Sequence, residues 1–320
     1  MTPAIRTKLK TAVWVMIRAI LLIGLVFVVL YPILVKIVTM IKDKADIYNP
    51  VVVWIPENFT FSNIKIVYEI MNYWPTLLNT FTLSTVMMTL QLVSCALAGY
   101  GFAKWQSKWA KLLFAGVIAT ILVPPQTIMV PLYLTFQNFD FFGSYQWITG
   151  RDGLNLLNTY WPFILTALTG NALKSGLYIY IFRQFFLNMP KDLEEAAFVD
   201  GAGMLKTFTH IIIPSAIPSI ITVSLFSFVW QWNDTFFTGN FLSGVKVLSN
   251  ELVALPANVN NYLLFSVPGA SLETATSIDP FYASMLVDTG LMLSIMPLII
   301  LYLFVQRYFV ESVERTGIVG

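Results

Sequence analysis

The chain has one cysteine, Cys95, and one histidine, His210. A single cysteine excludes an intrachain disulfide framework and any cysteine-rich metal or iron–sulfur site. A single histidine argues against a histidine-built metal cluster or catalytic triad. Charge is scarce too: Asp, Glu, Lys and Arg make up 11% of the 320 residues, where a soluble domain carries roughly 25%. That is less than half the charge needed to cover a water-facing surface. The net charge of +2 gives no bulk attraction for nucleic acid. What the chain has instead is apolar surface, 57% hydrophobic residues and a mean hydropathy of +0.72. It reads as an all-α polytopic membrane protein.

A spanning helix needs about 20 mostly apolar residues. Six stretches qualify, at 12–35, 77–100, 112–136, 161–186, 214–237 and 282–306. Arg6, Lys8 and Lys10 precede the first, and Arg18 precedes its apolar run from Ala19 to Val35. Its apolar run is longer than a signal-peptide core and no small-residue cleavage site follows promptly, so it reads as a retained anchor. With the N-terminus in the cytoplasm, the inner segments hold twelve basic residues against six acidic ones. The outer segments hold six basic residues against eleven acidic ones. This satisfies the positive-inside rule and places both termini in the cytoplasm. The chain then divides into an N-terminal anchor with an extracytoplasmic lobe, 1–76, and a transmembrane core, 77–320, whose cytoplasmic segment lies at 188–213.

That segment is polar and too long for a turn. Asp192 and Glu195 are spaced as a capping box, and Pro190 tolerates a helix start. Ala196 and Ala197 make a slim face that a partner could approach, and Gly201 and Gly203 break the helix. Leu205, Phe208, Ile211 and Ile212 fall on one stripe of a second short helix ending at Pro214. Two short helices bent at a glycine make a knob below the membrane; a helix resting on lipid headgroups has the same pattern.

Glu195-Ala196-Ala197, then Gly201, then Ile211 and Ile213-Pro214 resemble the EAA loop of ABC-importer permeases at every spacing. The longer form through Asp200-Gly201-Ala202 resembles the carbohydrate-importing, maltose-permease-like branch. Leu78-Asn79-Thr80, the run Ala98 to Lys104, Pro124-Pro125-Gln126, Arg183-Gln184-Phe185-Phe186 and Trp232-Asn233-Asp234 are similar to that family as well. The resemblance covers roughly 77–320. The tail Gly317-Ile318-Val319-Gly320 departs from it by lacking a lysine, and Glu311-Ser312 replaces a small residue.

The resemblance implies a type I importer permease in the bacterial plasma (inner) membrane, with an ABC ATPase dimer and a second, different permease as partners. An extracytoplasmic sugar-binding protein would deliver the substrate, and lipid would surround the spans. Glu195, Ala196, Ala197, Asp200, Gly201 and Pro214 would form the coupling element. No cofactor is expected on this chain. ATP and Mg would be held by the ATPase, so the chain itself is not expected to be an enzyme. Its nearest P-loop lookalike, 201–207, has Leu205 where glycine must precede the lysine.

Polar residues inside spans face a cavity or another helix. Gln91, Gln126, Asn171, Lys174, Trp232, Asn233 and Asp234 are therefore candidates for the translocation path. Helix–helix hydrogen bonding and an interfacial aromatic belt are the alternative readings of the same residues. Lys174, read as lying mid-span, would need a partner or water, and a cavity-facing cation there would favour an acidic sugar. Two other readings remain open at this level: an importer for a non-sugar solute, and an ion-coupled secondary transporter. The latter would carry inverted repeats and intramembrane carboxylates, and the stretches carry almost no acid.

Overall fold

The computed structural model describes residues 3–49, 51–105, 107–141, 143–150, 153–265 and 279–317. Arg151 and the tail 318–320 lie outside them. The described residues form fifteen α-helices with no strand, only two isolated β-bridges. The chain divides into two compact units, Met1–Tyr73 with Ala254–Met296, and Trp74–Val253 with Pro297–Gly320. Folding thus adds to the N-terminal anchor and lobe a late stretch that a division of the sequence at residue 76 leaves in the core.

In the first unit, α1 (Pro3–Ile41) is 39 residues long, about 58 Å at 1.5 Å per residue. Residues 10–32 are exposed all round, and a helix apolar on every face belongs in lipid or against another apolar surface. Beyond it a 3₁₀ turn, Lys44–Asp46, opens the lobe. Asp46 is buried and closes the lobe on Asn58, accepting from its backbone N–H (2.8 Å) and its side-chain amide (2.7 Å). Those bonds, the backbone one first, hold the Asp46 carboxyl below its ordinary range. Asn63, in α2 (Ser62–Ile70), donates to the Lys42 carbonyl at 2.8 Å and pins the start of the lobe. Later in the chain, Lys36 pairs with Asp288 and the Tyr48 hydroxyl donates to Asp279 at 2.9 Å.

The second unit is built on α3 (Tyr73–Lys104), 32 unbroken residues, about 48 Å. It is followed by α4 (Lys108–Leu122) and α5 (Pro125–Gln137), which meet at an angle of 102°. The stretch 112–136, expected as one span, is therefore broken. The reason is local: a proline disfavours the α conformation in the residue before it, and Pro124-Pro125 imposes this on Val123 and then on Pro124. Both are extended, at ψ 120° and 135°.

Short helix α6 (Ser144–Thr149) lies in the connection to α7 (Trp161–Leu168) and α8 (Ser175–Asn188). The stretch 161–186, also expected as one span, is interrupted at 169–174, where Gly170 and Lys174 have φ of 68° and 62°. Next come α9 (Asp192–Val199), α10 (Met204–Thr207), a π-turn at Phe208–Ile212, α11 (Ile213–Ser215) and α12 (Ile217–Trp232). The helical segment Met204–Ser215 meets α12 at 74°, at Ala216 between Pro214 and Pro218. Helices α13 (Phe236–Phe241), α14 (Leu248–Phe265) and α15 (Pro280–Gly317) complete the chain.

By length and composition, three continuous helices can cross a membrane: Lys10–Met40, Tyr73–Lys104 and Pro280–Arg307. The two sharply bent pairs raise the number to five among the described residues. The core of the second unit has two apolar centres. One joins Cys95, Tyr178, Phe182, Ile212 and Val223. The other joins Leu83, Met87, Phe136, Phe163 and Phe241.

Candidate functional site

The segment 188–213 folds as two short arms about a glycine. Helix α9 ends at Val199 with Asp200 as its C-cap, and Gly201 follows at φ 78°. Gly201 N–H donates to the Phe198 carbonyl (3.0 Å) and Ala202 N–H to the Ala197 carbonyl (2.9 Å). That pair of bonds is a Schellman cap, which requires a left-handed residue at the position Gly201 fills. The bend expected from Gly201 is present.

Three expectations for this segment fail. Asp192 lies inside the first turn with Lys191 as N-cap and no side-chain cap, so the capping box does not form. Asp192 stands one residue late, at the first helical position and not at the cap. Ala197 is buried at 4% exposure; it packs inward while Ala196 faces out, so one alanine of the pair presents the slim face. Leu205 leaves the apolar stripe and is 77% exposed, because the π-turn at Phe208–Ile212 changes the helical period from 3.6 residues just beyond it.

The outer surface of the knob is apolar around the hinge. Phe198, Val199, Met204 and Leu205 are 50–86% exposed, and Glu195, Ala196 and Asp200 are exposed beside them. Pro214 is exposed at the end of the second arm. Glu194, which the sequence reading passed over, turns inward: Lys104 Nζ lies 2.5 Å from its carboxylate. The only hint in the sequence is that Lys104 closes the helix α3, with α4 to α8 lying between it and α9. Arg183 ties the same region together, donating to the Phe102 carbonyl at 3.3 Å and stacking 4.1 Å from the Phe114 ring.

The expected path residues divide into three groups. Gln91, Asn171 and Lys174 gather at the α7–α8 break. Gln91 is 2% exposed and donates to the Leu173 carbonyl (2.8 Å) and the Ser175 hydroxyl (3.1 Å). Its carbonyl oxygen accepts from the Ser227 hydroxyl at 2.5 Å. It therefore joins α3, the break and α12. Lys174, expected in mid-helix, is the residue before α8 begins; it is exposed and its Nζ lies 4.7 Å above the Trp230 ring. A residue in the break can send its ammonium out of the bundle, which removes the cost that a helix-centre position implies. Asn171 is exposed, and its amide returns to the Thr169 carbonyl at 3.3 Å.

Trp232, Asn233 and Asp234 form the second group, at the end of α12. Trp232 and Asp234 are 3% and 7% exposed. The Asp234 carboxylate accepts from the N–H groups of Phe237 (3.1 Å) and Thr238 (2.8 Å), starting α13. Asn233 turns its amide back to the Val229 carbonyl at 2.9 Å. Gln126 stands apart, exposed in the first turn of α5.

Beside the break lies a cavity of roughly 30 Å³ lined by Met87, Phe163, Thr166, Asn171, Gln231 and Phe237 among others. Its size suits a water or two and is too small for a sugar ring. Gln231, another residue the sequence reading passed over, is 5% exposed, and its side-chain N–H₂ has no hydrogen-bond partner among the described residues. A water in this niche would accept from it. Gly176 opens α8 with α4 directly against it: a Cβ there would stand 2.9 Å from the Val117 carbonyl oxygen.

Long apolar helices, apolar segments sharply bent at prolines and a hinged knob with an exposed apolar face define the class, a helical membrane component. The chain belongs to the family of binding-protein-dependent transport system inner membrane components, whose model matches residues 96–315. Members of this family are permease components of ABC transporters, and the chain is such an inner-membrane permease. It is 26% identical over 291 residues to the melibiose/raffinose/stachyose import permease protein MelC of Bacillus subtilis, covering 90% of this chain and 91% of that one. It is 27% identical over 301 residues to the arabinooligosaccharides transport system permease protein AraQ of Halalkalibacterium halodurans, covering 92% of each. Its fold matches a chain of a bacterial ABC transporter involved in the import of the acidic polysaccharide alginate. There the TM-score is 0.71 at 21% identity, over 94% of this chain and 98% of that one.

Proposed function

We propose that this permease moves a sugar or oligosaccharide, delivered by an external binding protein, into the cell at the expense of ATP hydrolysed by a separate ATPase dimer. The observation that carries the ATPase docking is the exposed face of the knob: Phe198, Val199, Met204 and Leu205 around a glycine hinge, with Glu195 and Ala196 beside them. Apolar side chains at this exposure in a water-facing segment mark an interaction surface. Glu195 makes the charged contact, Ala196 allows close seating, and Gly201 after Asp200 makes the bend between the arms. ATP and Mg belong to the ATPase, and this chain supplies the lever. The sugar assignment rests on the likeness to MelC and AraQ and on the Asp200-Gly201-Ala202 extension of the motif. A second, different permease completes the pathway, with six spans in this chain and both termini in the cytoplasm.

The test is the composition of an affinity-tagged complex purified from native membranes in mild detergent, followed by stimulation of its ATPase by candidate sugars. Recovery of an ATPase and a second permease, lost when Glu195 and Gly201 are both replaced, supports the reading. A chain that purifies alone, well folded, would overturn it.

A further inference from the structure

We propose that Glu194 is a positioning residue, a latch that makes the coupling helix α9 and the long helix α3 move as one body; this rests on the ATPase-docking reading above. The covalent routes out of the knob are compliant. On one side Met189–Lys191 is non-helical, with Met189 extended at ψ 134°. On the other the chain passes the Gly201 hinge, a π-turn and the 74° bend at Ala216. A push on α9 carried by these segments alone would be absorbed as rotation about the hinge.

The last turn of α3 offers a stiffer route, because both arms of the knob close on it. Before the hinge, Glu194 pairs with Lys104 at 2.5 Å and accepts from the Tyr100 hydroxyl at 3.4 Å. The Glu194 side chain is 12% exposed, so water screens the pair only partly. After the hinge, the Phe208 ring lies 4.9 Å from the Tyr100 ring, which also meets Phe186 at 5.5 Å. Lys104 Nζ stands 5.7 Å over the Tyr100 ring, joining the two contacts.

From there α3 is unbroken. Gln91 lies thirteen residues from Lys104, about 20 Å along the axis, and Thr80 about 36 Å. Gln91 holds the α7–α8 break and α12, and the Thr80 hydroxyl accepts from the N–H of Leu248 at 2.8 Å. Movement of α9 latched to Lys104 therefore reaches the helix break and the far end of the unit through one rod, a rigid-body route of the kind that switches packed helices. Glu195, one residue on, is exposed and free to meet the ATPase. The two adjacent glutamates divide the work, one facing the motor and one the bundle.

The test uses the full complex with its ATPase in lipid nanodiscs, in a Cys95→Ser background, with spin labels at Lys191→Cys beside α9 and Leu78→Cys on α3. Pulsed EPR distances are taken without nucleotide and after trapping with ATP and vanadate. The expected result is one unshifted distance with the latch intact, and a displaced or broadened distribution on trapping in Glu194→Gln and in Lys104→Gln. The double exchange Glu194→Lys with Lys104→Glu should restore the unshifted distance, which a loss of folding would not do. Trapped distributions in Glu194→Gln that match the latched protein would overturn the proposal, as would a distance that shifts with the latch intact. Failure to recover any ATPase would remove the importer reading, and the latch with it.

Discussion

Replacing Gln91 by Leu roughly conserves volume but removes the three amide hydrogen bonds by which it joins α3 to the α7–α8 break and to α12. The weak bond from Cys95 Sγ to the Ser175 carbonyl at 3.7 Å stays. Three bonds are lost, to the Leu173 carbonyl, the Ser175 hydroxyl and the Ser227 hydroxyl. Side-chain hydrogen bonds between membrane helices average about 0.6 kcal/mol, so their direct loss is about 2 kcal/mol. The groups left behind differ in what they can do next. A serine hydroxyl can turn to a carbonyl one turn back on its own helix, whereas Leu173 lies in the interruption between α7 and α8. Its part-buried carbonyl, left without that donor, would add about 1 kcal/mol. The expected destabilisation is therefore about 3 kcal/mol for Gln91→Leu and less than about 1 kcal/mol for Ser227→Ala. Reversible unfolding in mixed detergent micelles measures both, and the double variant should add little to Gln91→Leu because the two residues share a bond. A Gln91→Leu protein within about 0.5 kcal/mol of the parent would refute the view that the amide holds the break together.

Gly176→Ala should destabilise the α4–α8 pair by about 1–3 kcal/mol, since a Cβ would press on the Val117 carbonyl at 2.9 Å and the Thr120 hydroxyl at 2.5 Å; the same micelle titration reads it. Gly201→Val forces a β-branched residue to φ 78°, at a local cost of about 1–2 kcal/mol or more, and should lower ATPase recovery without lowering the amount of permease in the membrane. Lys174→Met removes an exposed cation 4.7 Å from the Trp230 ring, worth about 0.5–1 kcal/mol; uptake of acidic and neutral sugars should fall together unless the cation meets the substrate. The Asp46 carboxyl is held below its ordinary value by Asn58. Its contribution to the lobe is thus present above the unfolded value of about 3.9 and is lost as pH falls through the folded one. Hydrogen exchange at the Asn58 amide should accelerate below about pH 4, and Asp46→Asn should abolish that acid limb.

Much of this protein is legible in one dimension because lipid imposes a one-dimensional rule. Every backbone group must be satisfied inside the bilayer, so a long apolar run has to be helical wherever lipid surrounds it. Counting apolar residues and Lys and Arg was enough to recognise an all-α membrane protein. The knob was legible for a similar reason: Gly201 stands where a Schellman cap needs a left-handed residue, and that requirement is written in the order of residues.

The three broken stretches show where such reading stops. Hydropathy runs straight through 112–136, 161–186 and 214–237, while the backbone bends at Pro124 and Ala216 and opens at 169–174. The proline pair marked the first break; nothing local marked Lys174 as a left-handed residue. That conformation is held by what surrounds it, through the Gln91 bond to Leu173 and the α4 backbone packed against Gly176.

The roles of the two adjacent glutamates were likewise undecidable from their order. Glu195 faces out and Glu194 faces Lys104 because α9 sits beside the end of α3, a contact 90 residues apart in the chain. Composition and local stereochemistry are properties of neighbours in sequence, and by themselves they determined the helices, the membrane and the hinge. Which polar group meets a partner, which fastens the bundle and which, like Gln231, waits on a water-sized niche depends on neighbours in space, and only the tertiary structure decided that.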